Sequence, residues 1–357
     1  MTTFIQLHLL TAYPPSNLNR DDLGRPKTAI VGGTERLRIS SQSRKRAWRT
    51  SDVFLERCKG KQGKITRRIG YDAAIQLRNN GFSQKTALEI GKEISEVFLN
   101  PSDLEKKDKN DPFKETLFKQ PFRVAAEELE AVNELVERLI AENRSPKKDE
   151  LDFIRKNHKS IDIAMFGCML ASKGKDSIKT EAAVQVAHAI TVHKVSIEDD
   201  YFSAVEDLNQ NKSDEGAAFI ADAGFSSGVF YQYICIDRDR LVENLQGDED
   251  LANKAIAALT EAAAKVAPTG KQNSFASRAY TSYLLAEKGS QQPRSLSVAF
   301  LKPVRGSDLM TDAIAALEKQ RDNFDRMYGN CADERRAMNA HTGEGATLEE
   351  IIDFVAD

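Results

Sequence analysis

ERLRISSQSRKRAWR, Glu35 to Arg49, sets six cationic side chains and one acidic one within fifteen residues. Its first part alternates strictly, with Arg36, Arg38 and Ser40 on one face and Leu37 and Ile39 on the other, which is the period of a strand. Ser41 is then placed to cap a helix over about Gln42 to Cys58, because a serine oxygen at that position satisfies an orphan backbone N–H. A strand thus runs straight into a capped helix. Its charge gives the stretch a second meaning. A helix N-terminus favours phosphate through its free N–H groups, and Ser and Gln add donors suited to sugar and phosphate oxygens. The combination predicts a bound nucleic-acid backbone, with little in it for reading bases.

Upstream, TTFIQLHLLTA (Thr2 to Ala12) is rich in β-formers and short enough for a buried strand. The segment after it, YPPSNLNRDDLGRPKTAIVGG, carries Pro, Asn, Asp and Gly at loop density and is long for a plain connection. Downstream, residues 70–158 read as helical: YDAAIQLRN, QKTALEIGKEISEVFL after Ser83, AAEELEAVNELVERLIAEN, and KKDELDFIRKN opened by Ser145 and Pro146. The period then changes. SIDIAMFGCML is strand-like, and AAVQVAHAITVHKV sets Val184, Val186, His188, Ile190 and Val192 at period two. An acidic loop from Ile197 to Gly224 precedes a strand at FSSGVFYQYICID, a helix at EDLANKAIAALTEAAAKVA and a strand at RAYTSYLLAE. Without the helical block and that loop the order is β-α-β-β-α-β, the ferredoxin-like topology on which RNA-recognition modules are built. The fold class expected is α+β. The remainder is expected to be helical, ending in a helix opened by the capping box Thr347-x-x-Glu350.

Composition sets the limits. The 357 residues are 41% hydrophobic and 29% charged, ordinary for a globular chain large enough for two domains or one with insertions. No apolar run approaches the ~20 residues of a membrane helix, and MTTFIQLHLL lacks the basic leader of a signal peptide, so a cytoplasmic protein is expected. Cys58, Cys168, Cys235 and Cys331 are far apart with no CxxC pair, which argues against a zinc site or a disulfide framework; no metal and no cofactor is expected. The formal net charge of −3 hides a division: residues 1–70 hold 15 Lys and Arg against 5 Asp and Glu, leaving 36 against 49 elsewhere. A basic N-terminal region on an acidic body points to a directed anionic partner.

Other motifs weigh less. Gly224 to Gly228, GFSSG, matches the G-x-S-x-G nucleophile elbow, but a strand follows it where that motif needs a helix. Around Gly270 and Lys271, PTGKQNS lacks the earlier glycine and the Ser/Thr of a P-loop. His188 and His193, five apart in a predicted strand, point to opposite faces and cannot chelate together. Asp21 and Asp22 either hold Mg²⁺ for acid-base chemistry or pair with Arg20 and Arg25 to shape their loop, and the second reading is favoured.

NLNRDDLGRPKTAIVGGTERLRISSQSRKRAWR closely resembles the N-terminal signature of the CasC family, the repeated backbone subunit of the type I-E CRISPR Cascade complex, within the RAMP superfamily. DIAMFGCM, VAHAITVHKV, DDYFSAVEDL, SSGVFYQY and PTGKQNSFA continue the likeness in family order to about Ala286. The resemblance implies an RNA-recognition-like palm (1–69 and 159–357), a helical fingers insertion (70–158) and a thumb hairpin within 194–224. It implies copies stacked as a filament along one CRISPR RNA, presenting the spacer to a target DNA strand, with subunits of the CasA, CasB, CasD and CasE types as further partners and no membrane. By the same analogy Arg20, Lys27, Arg36, Arg38, Ser40, Gln42, Lys45, Arg46, Arg49, Lys271 and Gln272 contact the RNA, while Met169, Tyr201 and Phe202 wedge between bases. Residue type alone makes Met169 core filler and the aromatic pair a hairpin anchor. Cys168 stands where relatives commonly carry Arg, and Arg49 and Tyr201 replace the frequent Lys and Trp. The role implied is non-catalytic. The rivals are an endoribonuclease using Asp21 or Asp22, as in related backbone subunits that cut RNA from an equivalent loop, and a free-standing RNA-binding module.

Overall fold

In the computed structural model, residues 2–154, 159–169, 179–204 and 219–357 are described. The chain divides into two compact units, the first Met1–Arg57, Gln185–Arg238 and Ile256–Asp357, the second Cys58–Val184 and Asp239–Ala255.

The first unit is built on two long antiparallel strands, Phe4–Ser16 and Phe219–Asp237, paired from Phe4 opposite Asp237 to Tyr13 opposite Gly228. Residues Ile5 to Thr11 are buried without interruption, because both edges and both faces of this strand are covered. It extends past the predicted Ala12. Pro14 and Pro15, which cannot donate to a ladder, fall where the register slips between Tyr13 and Ser16. On one side follow Tyr283–Gly289, then Glu334–Asn339 and Glu344–Gly345; on the other, Ala189–Thr191, Thr34–Ile39 and Thr28–Val31. The four strands of the predicted core therefore lie in the order fourth, first, third, second. Leu10, Tyr231, Leu285, Phe300, Ile314 and Leu317 form the core under the helix Leu309–Tyr328.

A polar network crosses this apolar interior. Glu287, 0% exposed, takes Arg294 Nη2 at 2.9 Å and Arg335 Nε at 2.7 Å. His8, also fully buried, contacts Tyr231 and Glu287 with its two ring nitrogens.

The second unit has a core of its own, including Ile69, Leu77, Ile90, Ile94, Phe98, Phe118, Phe122 and Leu139. The helices Ile69–Asn79 and Gln84–Phe98 cross where a Cβ on Gly70 would lie 2.2 Å from the Gly91 carbonyl, so only glycine permits the contact.

Several elements depart from expectation. The helix of the opening stretch starts one residue earlier, with Ser40 as cap, and divides into Ser41–Arg49 and Asp52–Cys58. At the break Thr50 Oγ1 donates to the Arg46 carbonyl and Ser51 Oγ to that of Trp48, side-chain bonds that compete with the helical ladder. Ile161–Phe166 is a helix rather than a strand, stopped by Gly167 at φ 74°; all six residues are buried, so no amphipathic period marks it. The period-two run is two short strands, Val184–Val186 and Ala189–Thr191. The helix expected to open at Ser145-Pro146 begins at Lys148, its Lys147 N–H bonded to Glu150 at 2.9 Å. The acidic stretch expected as a loop holds the strand Glu198–Ala204, paired to the long strand with Tyr201 opposite Asp222. Glu334–Asn339, charged and half-exposed, adds a strand where only helices were expected. The final helix opens with the expected Thr347–Glu350 capping box. Among the described residues no helix is long and apolar enough to cross a membrane.

Candidate nucleic-acid interface

Asparagines hold the long N-terminal loop against the sheet. Asn19 Oδ1 accepts the Ser40 N–H at 2.9 Å and its carbonyl accepts the Lys27 N–H at 2.8 Å, while the Lys27 carbonyl takes the Arg38 N–H at 2.8 Å. Asn17, fully buried, donates to the carbonyls of Gly24 and Gly224, each at 2.9 Å. Lys27 and Arg38 are thereby fixed beside each other at the end of the strand that feeds the helix.

Asp21 shapes the same loop, though not by the arginine pairing expected of it. Its carboxylate accepts the N–H groups of Leu23 and Arg25 at 3.0 and 2.9 Å, an Asx turn, and the Arg25 guanidinium reaches Asp199 instead. Asp22 and Arg20 are exposed. Among the described residues, no group of three or more His, Cys, Asp or Glu is arranged to hold a metal ion.

The helix Ser41–Arg49 anchors by one face and presents the other. Ser40 Oγ caps it by accepting the Ser43 N–H at 3.3 Å. Arg44, Ala47, Trp48 and Arg49 are buried, Arg44 donating to Tyr13 Oη at 2.8 Å and lying 5.0 Å over the Trp48 ring. Gln42 and Arg46 are exposed and Lys45 is half-buried. Arg49, expected among the RNA contacts, is thus on the anchoring face. Arg36 departs further from expectation. It is 0% exposed, and its guanidinium donates to the carbonyls of Thr191 and Phe300 and to Thr34 Oγ1. Five fixed donors let an arginine satisfy buried carbonyls, so Arg36 joins the sheet to the segment at Phe300 and does not face solvent. Arg38 does reach the surface, where its Nη1 contacts His188 Nδ1 at 3.0 Å. Burial, then the Arg38 and Lys27 charges, hold the His188 pKa below the ordinary value.

The Pro268–Gln272 turn packs on the loop. A Cβ on Gly270 would lie 2.3 Å from the Leu18 carbonyl, Lys271 adopts φ 46°, and Gln272 Nε2 donates to the Pro268 carbonyl at 2.7 Å. Tyr201 and Phe202 lie on the hairpin strand, 69% and 42% exposed. Met169 belongs to the second unit, in the strand Cys168–Met169, and its side chain lies outside the described residues. Ser226 of the GFSSG match is buried inside the long strand and donates to the Ser196 carbonyl, far from an elbow geometry. Free thiols are held protonated where buried: burial pushes Cys235 up to about 11.

The residues brought together are therefore Lys27, Arg38, Ser40 and His188, with Gln42, Lys45 and Arg46 on the adjoining helix. Asn17, Asn19 and His188 had no assigned part in the site. The asparagines carried only a loop signal, and His188 differed from a structural histidine in nothing local.

Nothing among curated proteins matches the chain. A chain of a solved "CRISPR RNA-guided surveillance complex, pre-nicking" superposes with a TM-score of 0.83 at 28% identity, covering 99% of both chains. A chain of a "CRISPR RNA-guided surveillance complex" shares the fold, with a TM-score of 0.73 at 24% identity and the same 99% coverage of each. With the family profile matching residues 5–353, nearly its whole length, the chain belongs to the CT1975-like protein family.

Proposed function

We propose that this protein is a non-catalytic, guide-RNA-holding subunit of a cytoplasmic CRISPR surveillance complex. Repeated copies would line one CRISPR RNA and present its spacer to target DNA, and the sequence likeness to CasC favours a type I-E complex. The observation that carries this reading is the helix Ser41–Arg49, which buries one face and leaves Gln42, Lys45 and Arg46 outward next to Lys27 and Arg38. Those groups suit phosphate and sugar oxygens, which a subunit that must accept any spacer has to hold. The strand order fourth, first, third, second supports a ferredoxin-like palm, and the strand Glu198–Ala204 supports a thumb hairpin that lifts Tyr201 and Phe202 as wedges. The helices of 70–158 would be the fingers. The full-length likeness to a surveillance-complex chain at 28% identity agrees with this reading.

The test is co-expression with a CRISPR array, followed by size exclusion and sequencing of the RNA recovered. Guide RNAs of many spacers in a large assembly are expected. A monomer free of RNA, or one spacer strongly preferred, overturns the proposal.

A further inference from the structure

Two histidines lie five residues apart beside the sheet, and their ring nitrogens are used differently. His193 Nδ1 donates to the Lys194 carbonyl at 2.9 Å and Nε2 accepts the Val229 N–H at 3.1 Å, so both nitrogens serve the fold. His188 is exposed, and one nitrogen meets Arg38. Arg38 can only donate, so Nδ1 of His188 accepts, and the neutral ring carries its proton on Nε2. The strand register brings His188 to the start of the cationic helix: Arg38 lies opposite Ile190 and Ile39 opposite Ala189, which places His188 next in line with Ser40. The charges that bear on it are Arg38 from the neighbouring strand and Lys27 from the loop, both positive.

We propose that His188 is an additional RNA-backbone residue, which donates from Nε2 to a phosphate that Arg38 and Lys27 also neutralise. This rests on the RNA-holding role given above. In the free protein partial desolvation, and then the two cations, favour the neutral ring. A phosphate seated between them cancels that repulsion and favours the imidazolium, so RNA binding draws a proton from solvent onto Nδ1, and the Arg38 N–H that Nδ1 accepted turns to the phosphate. The arrangement makes guide affinity depend on pH through a residue that carries no sequence information.

The experiment uses the full chain with single-stranded RNA of arbitrary sequence, comparing the unsubstituted protein, His188→Gln and His188→Ala between about pH 5.5 and 8. Unsubstituted protein should bind roughly three- to tenfold more tightly at the acid end, the effect of one added charge-assisted contact. His188→Gln keeps an acceptor for Arg38 and an N–H for phosphate but cannot gain a proton, so it should lose the acid gain. His188→Ala should be weaker throughout. Histidine-ring NMR provides a second readout, in which the His188 signal, assigned by its loss in His188→Gln among the five histidines, should titrate at higher pH with RNA bound. If RNA binds but the His188 titration does not move and His188→Gln keeps the acid gain, this inference falls while the RNA-holding role stands. If the unsubstituted protein binds no RNA at any pH, both fall.

Discussion

His8 Nε2 donates to Glu287 Oε2 at 3.2 Å where both side chains are wholly buried. Two arginines keep Glu287 ionised and accepting only, so the neutral ring turns Nδ1 to Tyr231 Oη at 2.8 Å, and that hydroxyl accepts the Leu296 N–H at 3.1 Å. One tautomer thus satisfies the whole chain of bonds across three strands and a loop.

Stability should rise with pH through the acid range for this reason. Burial lowers the His8 pKa below its ordinary 6.5, outweighing the pull of Glu287. Burial pushes Glu287 up, yet hydrogen bonds from His8 and Arg294 hold it well below 4.5. Both groups bind fewer protons folded than unfolded, so their contribution is full above 6.5 and falls as pH drops through each ordinary value. Denaturant unfolding followed by the single tryptophan, Trp48, should show that loss, and His8→Gln should flatten it between about pH 5 and 7. Glu287→Ala removes the carboxylate partner of the half-buried Arg294, while Arg335 keeps Asp325, and should cost about 1–3 kcal/mol.

Lys45→Ala and Arg46→Ala should weaken binding of unrelated guides alike and reduce the salt slope by about 0.7 for each phosphate no longer neutralised. Arg36→Ala should instead lower the unfolding midpoint, since its donors serve buried carbonyls, and leave the slope unchanged. Filter binding over a salt series separates the two behaviours. Weakening confined to one guide sequence would contradict backbone recognition.

Replacing Tyr201 and Phe202 together with Ala should remove aromatic contacts worth about 1–3 kcal/mol per base and leave the salt slope nearly intact. Chemical probing of the bound RNA reads the consequence: periodic reactive bases in the unsubstituted complex, absent in the double variant. A uniform profile before substitution would sink the wedge role.

The unsubstituted protein is expected to show no Mg²⁺-dependent RNA cleavage, and Asp22→Ala to leave guide binding unchanged. Asp21→Ala should weaken guide binding several-fold by releasing the loop that carries Lys27, because its carboxylate holds two loop N–H groups. Cleavage by the unsubstituted protein that disappears in Asp22→Ala would make this an endoribonuclease.

Local pattern sufficed for much of this protein. Ser83 and Thr347 cap the helices they precede, and the strands at Phe4 and Tyr283 and the part of the long strand from Phe225 onward stand where β-formers gather, because caps and periods act over a few residues, whereas Phe219 to Gly224 reads as loop in the sequence. The clustering of cations between Arg36 and Arg49 was equally visible. What each cation does was decided by tertiary structure. Arg36 and Arg38 share a strand face in the alternating pattern, yet the carbonyls of Thr191 and Phe300 draw one inward, and His188, 150 residues along the chain, meets the other at the surface. The helix at Ile161 and the charged strand at Glu334 escaped detection for the same reason. A helix buried on every side has no period to read, and an edge strand is defined by the partner that offers it hydrogen bonds. Sequence carries propensity and charge, whereas burial and partnership arise only when distant segments meet.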